Sequence, residues 1–331
     1  MRAVTITEDH RLELAELPEP IPAEGEVLVD VVAAGVNRAD LAQASGKYPP
    51  PPGASPLPGL EVSGRRRDTG EEVVALLAGG GYAEVVAVPE EQLLPAPPSL
   101  PLADAGGLVE VAATVVSNLV IEAGLGAGAG AEGADADGAA GGSGSPTETL
   151  LVHGGTGGIG SFAIQFARAL GARVLAVAGS DEAIVAAREL GAEQAWNRRT
   201  TDLVAAVREA GGADIVLDVV GGSILDDNVR VLREFGRVVV IGTLGGSRGE
   251  LDLGALMAKR ARIIGTTLRS RAPHDKRRIL RRTRELVWPM LADGSIRLPV
   301  QAHLPLAEAA RAHEILAAGG HLGKVILDVA E

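Results

Sequence analysis

The sequence predicts an α/β protein of two domains, one of them built on a doubly wound parallel sheet. Three observations predict it. From residue 149 onward, β-prone runs and helical stretches alternate, the pattern of strands joined by covering helices. Several of those runs are apolar without interruption, such as Ile215-Val216-Leu217 and Val238-Val239-Val240-Ile241, as a strand buried on both faces requires. A glycine-rich turn, Gly155-Thr156-Gly157-Gly158-Ile159-Gly160, follows the first of these runs and leads straight into helix.

At 331 residues the chain is too long for one ordinary core. Hydrophobic residues make up 46% but aromatic residues only 2%. The cores must therefore be Ala, Val, Leu and Ile, and stacking platforms for single-stranded nucleic acid are lacking. A net charge of -12, from 31 basic and 43 acidic residues, argues against attraction to nucleic acid or anionic lipid by the overall field. Local groups such as Arg198-Arg199 or Arg281-Arg282 remain able to hold a small anion. No run approaches the roughly 20 apolar residues that cross a bilayer, and no signal-type apolar block follows Met1. A soluble, cytoplasmic protein without nucleic-acid or membrane partners is expected. The absence of cysteine excludes disulfides, thiolate nucleophiles and cysteine-containing zinc sites. The six histidines, at 10, 153, 274, 303, 313 and 321, show no metal-ligand spacing, and no metal is expected.

Along the first hundred residues, stretches 1–6, 26–33, 73–77 and 82–88 are β-prone and broken by Pro and Gly. Tyr48-Pro49-Pro50-Pro51-Pro52-Gly53 must be a fixed loop, because successive prolines lack the amide donor. Residues 103–123 have helical character. The following 124–145 are almost entirely Gly and Ala, too costly in entropy to order regularly, and are read as a flexible surface loop. Strands are then expected at 149–153, 173–178, 213–219, 236–241 and 261–265. Helices are expected at 158–170, 181–190, 201–210, 223–235 and 253–259. The last sixty residues hold a long basic helix, a short β-prone stretch, another helix and a strand at 325–329.

The glycine turn has the strand–turn–helix context of a dinucleotide site. Gly155 and Gly157 let the backbone turn tightly and approach a pyrophosphate. Gly160 lets helix and strand pack closely, and the helix N-terminus offers amide donors to the phosphates. The end of the next strand, Ala178-Gly179-Ser180, lacks the acid that would accept from a ribose 2′-hydroxyl. Asp181 stands where it would cap the following helix. A small, neutral strand end leaves room for a 2′-phosphate, with Arg198 or Arg199 further along the chain to neutralise it. NADPH is favoured over NADH.

With these residues in place, the chain resembles the zinc-free quinone oxidoreductases of the medium-chain dehydrogenase/reductase superfamily. The likeness is carried by Asn37-Arg38-Ala39-Asp40-Leu41-Ala42-Gln43-Ala44-Ser45-Gly46-Lys47-Tyr48 with Pro50-Pro51-Pro52-Gly53-Ala54-Ser55. Pro58-Gly59-Leu60-Glu61-Val62-Ser63-Gly64, Leu151-Val152-His153-Gly154-Gly155, Thr267-Leu268-Arg269-Ser270-Arg271 and Gly323-Lys324-Val325-Ile326-Leu327 extend it nearly end to end. It implies a Rossmann doubly wound parallel sheet over 115–266, inserted in a discontinuous GroES-like β-rich catalytic domain formed by 1–114 and 267–331. The Gly/Ala-rich 124–145 is then an insertion within the Rossmann domain.

Zinc-dependent relatives carry Gly-His-Glu where this chain has Gly59-Leu60-Glu61, and a ligand cysteine near 37–40. The resemblance thus implies hydride transfer without zinc, to conjugated acceptors. It places Asn37 and Tyr48 near the nicotinamide, with Tyr48 donating to a quinone oxygen or, equally, only packing against Pro50-Pro51-Pro52. It places Thr114 on the nicotinamide and Gly157, Gly158 and Ile159 on the pyrophosphate. Gly155, Gly160, Gly179, Ser180, Arg198, Gly242, Leu268, Arg269 and Lys324 complete the expected cofactor site.

Four departures from the family stand out: a shortened 65–70 connection, the 124–145 insertion, Ala183 in place of a lysine, and Arg198 in place of a tyrosine. The expected activity is an NADPH:quinone oxidoreductase. An enal or enone reductase fits the same residues, and a non-catalytic NADPH-binding protein is the reading from another class. A homodimer is expected through the strand at 261–265, whose apolar edge otherwise invites association.

Overall fold

The computed structural model describes residues 1–126 and 147–330, so most of the 124–145 expectation lies outside the described residues. The chain divides into two compact units, Met1–Ala113 with Leu268–Glu331, and Thr114–Thr267. Among the described residues, no helix is long and apolar enough to cross a membrane.

The first unit opens with an antiparallel pair, β1 (Arg2–Ile6) and β2 (Leu12–Glu16). There follow β3 (Glu26–Val36), α1 (Arg38–Ala44), β4 (Glu61–Arg66), β5 (Glu72–Leu76), β6 (Val85–Pro89), β7 (Leu93–Pro95) and α2 (Leu102–Ala105). The β-prone 82–88 begins as strand only at Val85. Tyr82 is fully buried, and its backbone bonds Pro58 and Val4 instead of the β3 ladder. The shortened 65–70 connection closes as a hairpin between β4 and β5. Its arginines pair outward: Arg65 with Glu72, Arg66 with Asp68 and Glu90, Arg67 with Asp30 and Glu19.

The helical expectation over 103–123 holds in pieces. Helix α2 stops at Gly106, where a Cβ would lie 2.8 Å from the Ala33 carbonyl oxygen of β3. Helix α3 (Val109–Val115) then passes into a π-helix at Val116–Glu122.

The second unit continues with β8 (Thr149–His153), α4 (Gly158–Ala169), β9 (Arg173–Ala178), α5 (Asp181–Glu189), β10 (Gln194–Asn197) and α6 (Leu203–Glu209). It ends with β11 (Ala213–Asp218), α7 (Leu225–Val231), β12 (Leu232–Val240), α8 (Leu253–Ala258) and β13 (Arg262–Gly265). All six strands are parallel, in the order β10-β9-β8-β11-β12-β13. Counted within the unit this is 3-2-1-4-5-6, the Rossmann order, whose direction reverses between β8 and β11.

The helix expected over 223–235 is a correction: it ends at Val231, and residues from Leu232 run as strand. Lys259 Nζ takes the carbonyls of Arg230 and Leu232, and Phe235 turns at φ 62 with its amide on the Lys259 carbonyl. A helix cannot continue once these groups are engaged elsewhere.

The chain then returns to the first unit as α9 (Pro273–Ala292), β14 (Val300–Pro305), α10 (Ala309–Ala318) and β15 (Lys324–Asp328). Strand β15 lies antiparallel to β3, with Val325 opposite Val36, and so completes a seven-stranded sheet, β14-β15-β3-β4-β5-β7 with β6 also paired to β3. Val29, Val31, Ala34, Val62, Tyr82, Val325 and Leu327 form its core. A sheet that needs both chain ends explains why the first unit is discontinuous.

Candidate functional site

In the second unit, the carboxyl ends of the parallel strands gather the cofactor candidates, where open α/β sheets bind ligands. The turn itself corrects the sequence reading. Gly154, not Gly155 or Gly157, takes the left-handed conformation, at φ 72, while its amide and that of Gly155 bond the Val177 carbonyl. Gly155 is instead a packing glycine, where a Cβ would lie 3.3 Å from Ala176 Cβ and 3.4 Å from Ile164 Cδ1. A Cβ on Gly160 would collide with the Gly154 carbonyl oxygen, so only glycine lets α4 start this close to the turn.

Gly157 is the N-cap of α4 and offers no side chain. The first amides of a helix have no carbonyl within it to bond, which leaves those of Gly158 and Ile159 for an anion.

At the end of β9, Ser180 is the N-cap of α5, its Oγ accepting from the Ala183 amide at 3.2 Å. Asp181 is therefore not the cap. Its carboxylate accepts from Asn197 Nδ2 at 2.9 Å, turned toward β10. The Arg198 amide bonds the Ala178 carbonyl, and its guanidinium lies across Gly179, where a Cβ would be 3.6 Å from Nη2. Gly242, beyond β12, packs on the loop after β11, where a Cβ would lie 2.8 Å from the Val219 carbonyl. Thr114 is buried, and its carbonyl accepts from Ser117 Oγ and Asn118 Nδ2 of the π-helix.

In the first unit, Asn37 caps α1 in a reciprocal box with Asp40. Its side chain joins a buried network that the sequence does not announce. Lys324 Nζ donates to Glu61 Oε1 at 2.8 Å, to Asn37 Oδ1 at 2.7 Å and to the Val36 carbonyl at 3.1 Å. Asn37 Nδ2 donates to Glu61 Oε1 at 3.0 Å, and Glu61 Oε2 accepts from the Glu110 amide. Lys324 and Glu61 are 2% and 0% exposed, so this charge pair stands only because every polar atom is matched. The three ammonium protons of Lys324 are all committed within the unit.

Tyr48 meets a second hub. Arg269 donates Nε to the Ala78 carbonyl at 2.7 Å, Nη1 to the Tyr48 carbonyl at 3.2 Å and Nη2 to Gln43 Oε1 at 2.7 Å. Its guanidinium carbon lies 5.2 Å from the Tyr48 ring centroid, within cation–π range. Tyr48 is thus held by Arg269 through both ring and backbone. Burial, and to a lesser degree Glu110, raises the Tyr48 hydroxyl above its ordinary pKa despite Arg269, so it remains a proton donor at neutral pH. Leu268 is half-buried and starts the turn that carries Arg269.

Beneath this surface, buried Asp40 accepts from the Asn37 and Gly59 amides and from Tyr82 Oη, which also meets His313 Nε2 at 3.3 Å. Burial pushes Asp40 up to about 6 and His313 down to about 4.

Residues 158–285 match the family model described as zinc-binding dehydrogenase, and 23–98 that of the alcohol dehydrogenase GroES-like domain. A quinone oxidoreductase of Mus musculus is 28% identical over 99% of this chain and 97% of its own length. The solved quinone oxidoreductase of Thermus thermophilus, determined also with NADPH, is 31% identical over 99% of this chain and all of that one, with a TM-score of 0.80. The Escherichia coli quinone oxidoreductase, solved with NADPH, is 26% identical over 99% of both chains, with a TM-score of 0.82.

Proposed function

Because the chain belongs to the quinone oxidoreductase family of the medium-chain dehydrogenase/reductase superfamily, we propose that it is a zinc-independent, homodimeric NADPH:quinone oxidoreductase. The observation that carries the cofactor choice is the guanidinium of Arg198 lying across Gly179, at a strand end where Asp181 is turned away to Asn197. The residues fit the cofactor. Gly158 and Ile159 would hold the pyrophosphate by amides that neither helix nor cap uses, with Gly155, Gly157 and Gly160 keeping the approach open. Gly179, Ser180 and Arg198 would take the 2′-phosphate end, and Thr114 and Gly242 the nicotinamide end. NADPH, when bound, supplies a hydride.

Metal independence is supported by the donor set. Glu61, where zinc-dependent relatives have their ligand motif, has both oxygens engaged by Lys324, Asn37 and the Glu110 amide. The chain has no cysteine, and among the described residues no three His, Cys, Asp or Glu side chains are grouped to hold a metal. Acceptors reduced without a Lewis acid must delocalise their own developing charge, as quinones do. Tyr48 donates a hydrogen bond to the acceptor oxygen as that charge builds. Arg269 positions Tyr48, and Lys324 with Asn37 fixes the start of α1. Leu268 belongs to the same segment as Arg269.

The dimer is supported by the edge position of β13 and by exposed Leu244, Leu253 and Met257 in the same unit. Light scattering at the mass of one chain would oppose it. Titration with the two reduced cofactors tests the central assignment. NADPH should bind at least about tenfold more tightly than NADH, and Arg198→Ala should erase most of that difference. Equal affinities in the unaltered protein would overturn it.

A further inference from the structure

Among the buried polar side chains of the second unit that the proposed chemistry does not use, three are linked to one another. His153, the last residue of β8, is 6% exposed, Asn228 of α7 is 1% exposed, and Asp218, the last residue of β11, is fully buried. They form one chain of hydrogen bonds. His153 Nε2 meets Asn228 Oδ1 at 2.8 Å, and Asn228 Nδ2 donates to Asp218 Oδ2 at 3.0 Å. Asp218 Oδ1 accepts the amides of Val220 at 2.6 Å and Gly221 at 3.0 Å.

The directions of these bonds are forced. A carboxylate accepts, so the Asn228 amide must turn its NH2 to Asp218 and its carbonyl to His153. His153 must then carry its proton on Nε2. Burial holds the imidazole below its ordinary pKa even with Asp218 nearby, so the ring is a neutral donor of fixed tautomer.

The positions matter as much as the bonds. His153 directly precedes Gly154, which makes the phosphate turn. Asp218 directly precedes the loop 219–222, which is laced to 242–246 by Gly222 to Gly246 at 2.8 Å and Gly245 to Val220 at 2.7 Å. β8 and β11 are neighbours across the point where strand order reverses. The adjoining strand residues Val152 and Leu217 are apolar and fully buried. Packing alone would be met by more of the same, and buried polar groups add cost unless fully matched.

We infer that His153, acting through Asn228 and Asp218, is a positioning residue that holds the turn after β8 and the loops after β11 and β12 in the single register that accepts the dinucleotide. The inference rests on the second unit being the NADPH-binding unit.

Fluorescence titration of NADPH into the unaltered protein, His153→Leu, His153→Gln and Asn228→Leu tests it. Both leucine variants should raise Kd about tenfold, and the double variant no further, since each breaks the same chain. Glutamine, which restores an Nε2–H donor, should return Kd to within about threefold of the unaltered value. The KM for NADPH should rise with Kd, and kcat should fall by less. An unaltered protein that binds no NADPH would sink the functional reading itself. Tight binding by the unaltered protein and by His153→Leu alike would sink this inference alone.

Should the leucine variants not fold, 15N-histidine NMR of the unaltered protein decides. An Nε2–H tautomer whose resonance shifts with NADPH occupancy supports the positioning role. An Nδ1–H tautomer, or an unmoved resonance, overturns it.

Discussion

Tyr48 is the residue on which the proposed chemistry bears most directly. Its hydroxyl stays protonated, and Arg269 holds its ring and carbonyl. Tyr48→Phe removes the donor and keeps the ring over the guanidinium, so kcat with a quinone should fall about tenfold while NADPH affinity holds. An unchanged kcat would leave Tyr48 with packing alone. Tyr48 and Gly157 stand out in the sequence because each lies in a dense local pattern, one among prolines and one among glycines. The partners that hold Tyr48 do not stand out, since Arg269 is 221 positions away and nothing near it in the chain points to Gln43 or Ala78. Likewise Gly154, Gly155 and Gly157 are alike as letters, and only the backbone reveals that Gly154 takes the positive φ. Ser180 and Asp181 are both good capping types, and the outcome depends on Asn197, which draws Asp181 away.

At the scale of elements, strands β8, β9 and β11 were legible because unbroken apolar runs of that length have few other uses. The short β10 and the early end of α7 were not, because four residues carry little pattern and Lys259 acts from a distant helix end. Two contacts between elements yield predictions. His303 of β14 is bonded on Nδ1 to Asp328 of β15 at 2.8 Å and on Nε2 to Asp104 of α2 at 3.0 Å. Burial works against its charge, but the two carboxylates outweigh that and raise its pKa above the ordinary 6.5. A raised histidine pKa stabilises the fold fully below 6.5 and loses that contribution as pH rises through the raised value. His303→Gln should therefore lower Tm more at pH 6 than at pH 9, and an equal loss at both would remove the charge from the explanation. The second contact joins the residues that flank the Gly/Ala-rich segment. Glu148 accepts from the Gly126 amide at 2.9 Å and pairs with buried Arg237, which also donates to the Ala123 carbonyl. Replacing 127–146 by a short Gly-Ser bridge should leave Tm nearly unchanged and NADPH affinity within about twofold, because loop closure costs vary slowly with length. Loss of folding on excision would contradict a role for Glu148 and Arg237 in holding the two ends.

For the whole molecule, one chain combines a Rossmann sheet in the order 3-2-1-4-5-6 with a β-rich unit completed by its own C-terminal strand. The glycine turn, the neutral end of β9 with Arg198 beside it, and the engagement of Glu61 by Lys324 are the features on which the proposed function rests. The proposed chemistry is hydride delivery from NADPH to a conjugated acceptor without zinc. Steady-state NADPH oxidation with a panel of ortho- and para-quinones and several enals, in the presence and absence of a strong chelator, tests it most directly. Turnover with quinones that exceeds turnover with enals, prefers NADPH to NADH and is unchanged by the chelator is the predicted result. NADPH binding without oxidation by any acceptor, faster turnover with enals than with quinones, or activity lost on chelation would contradict it.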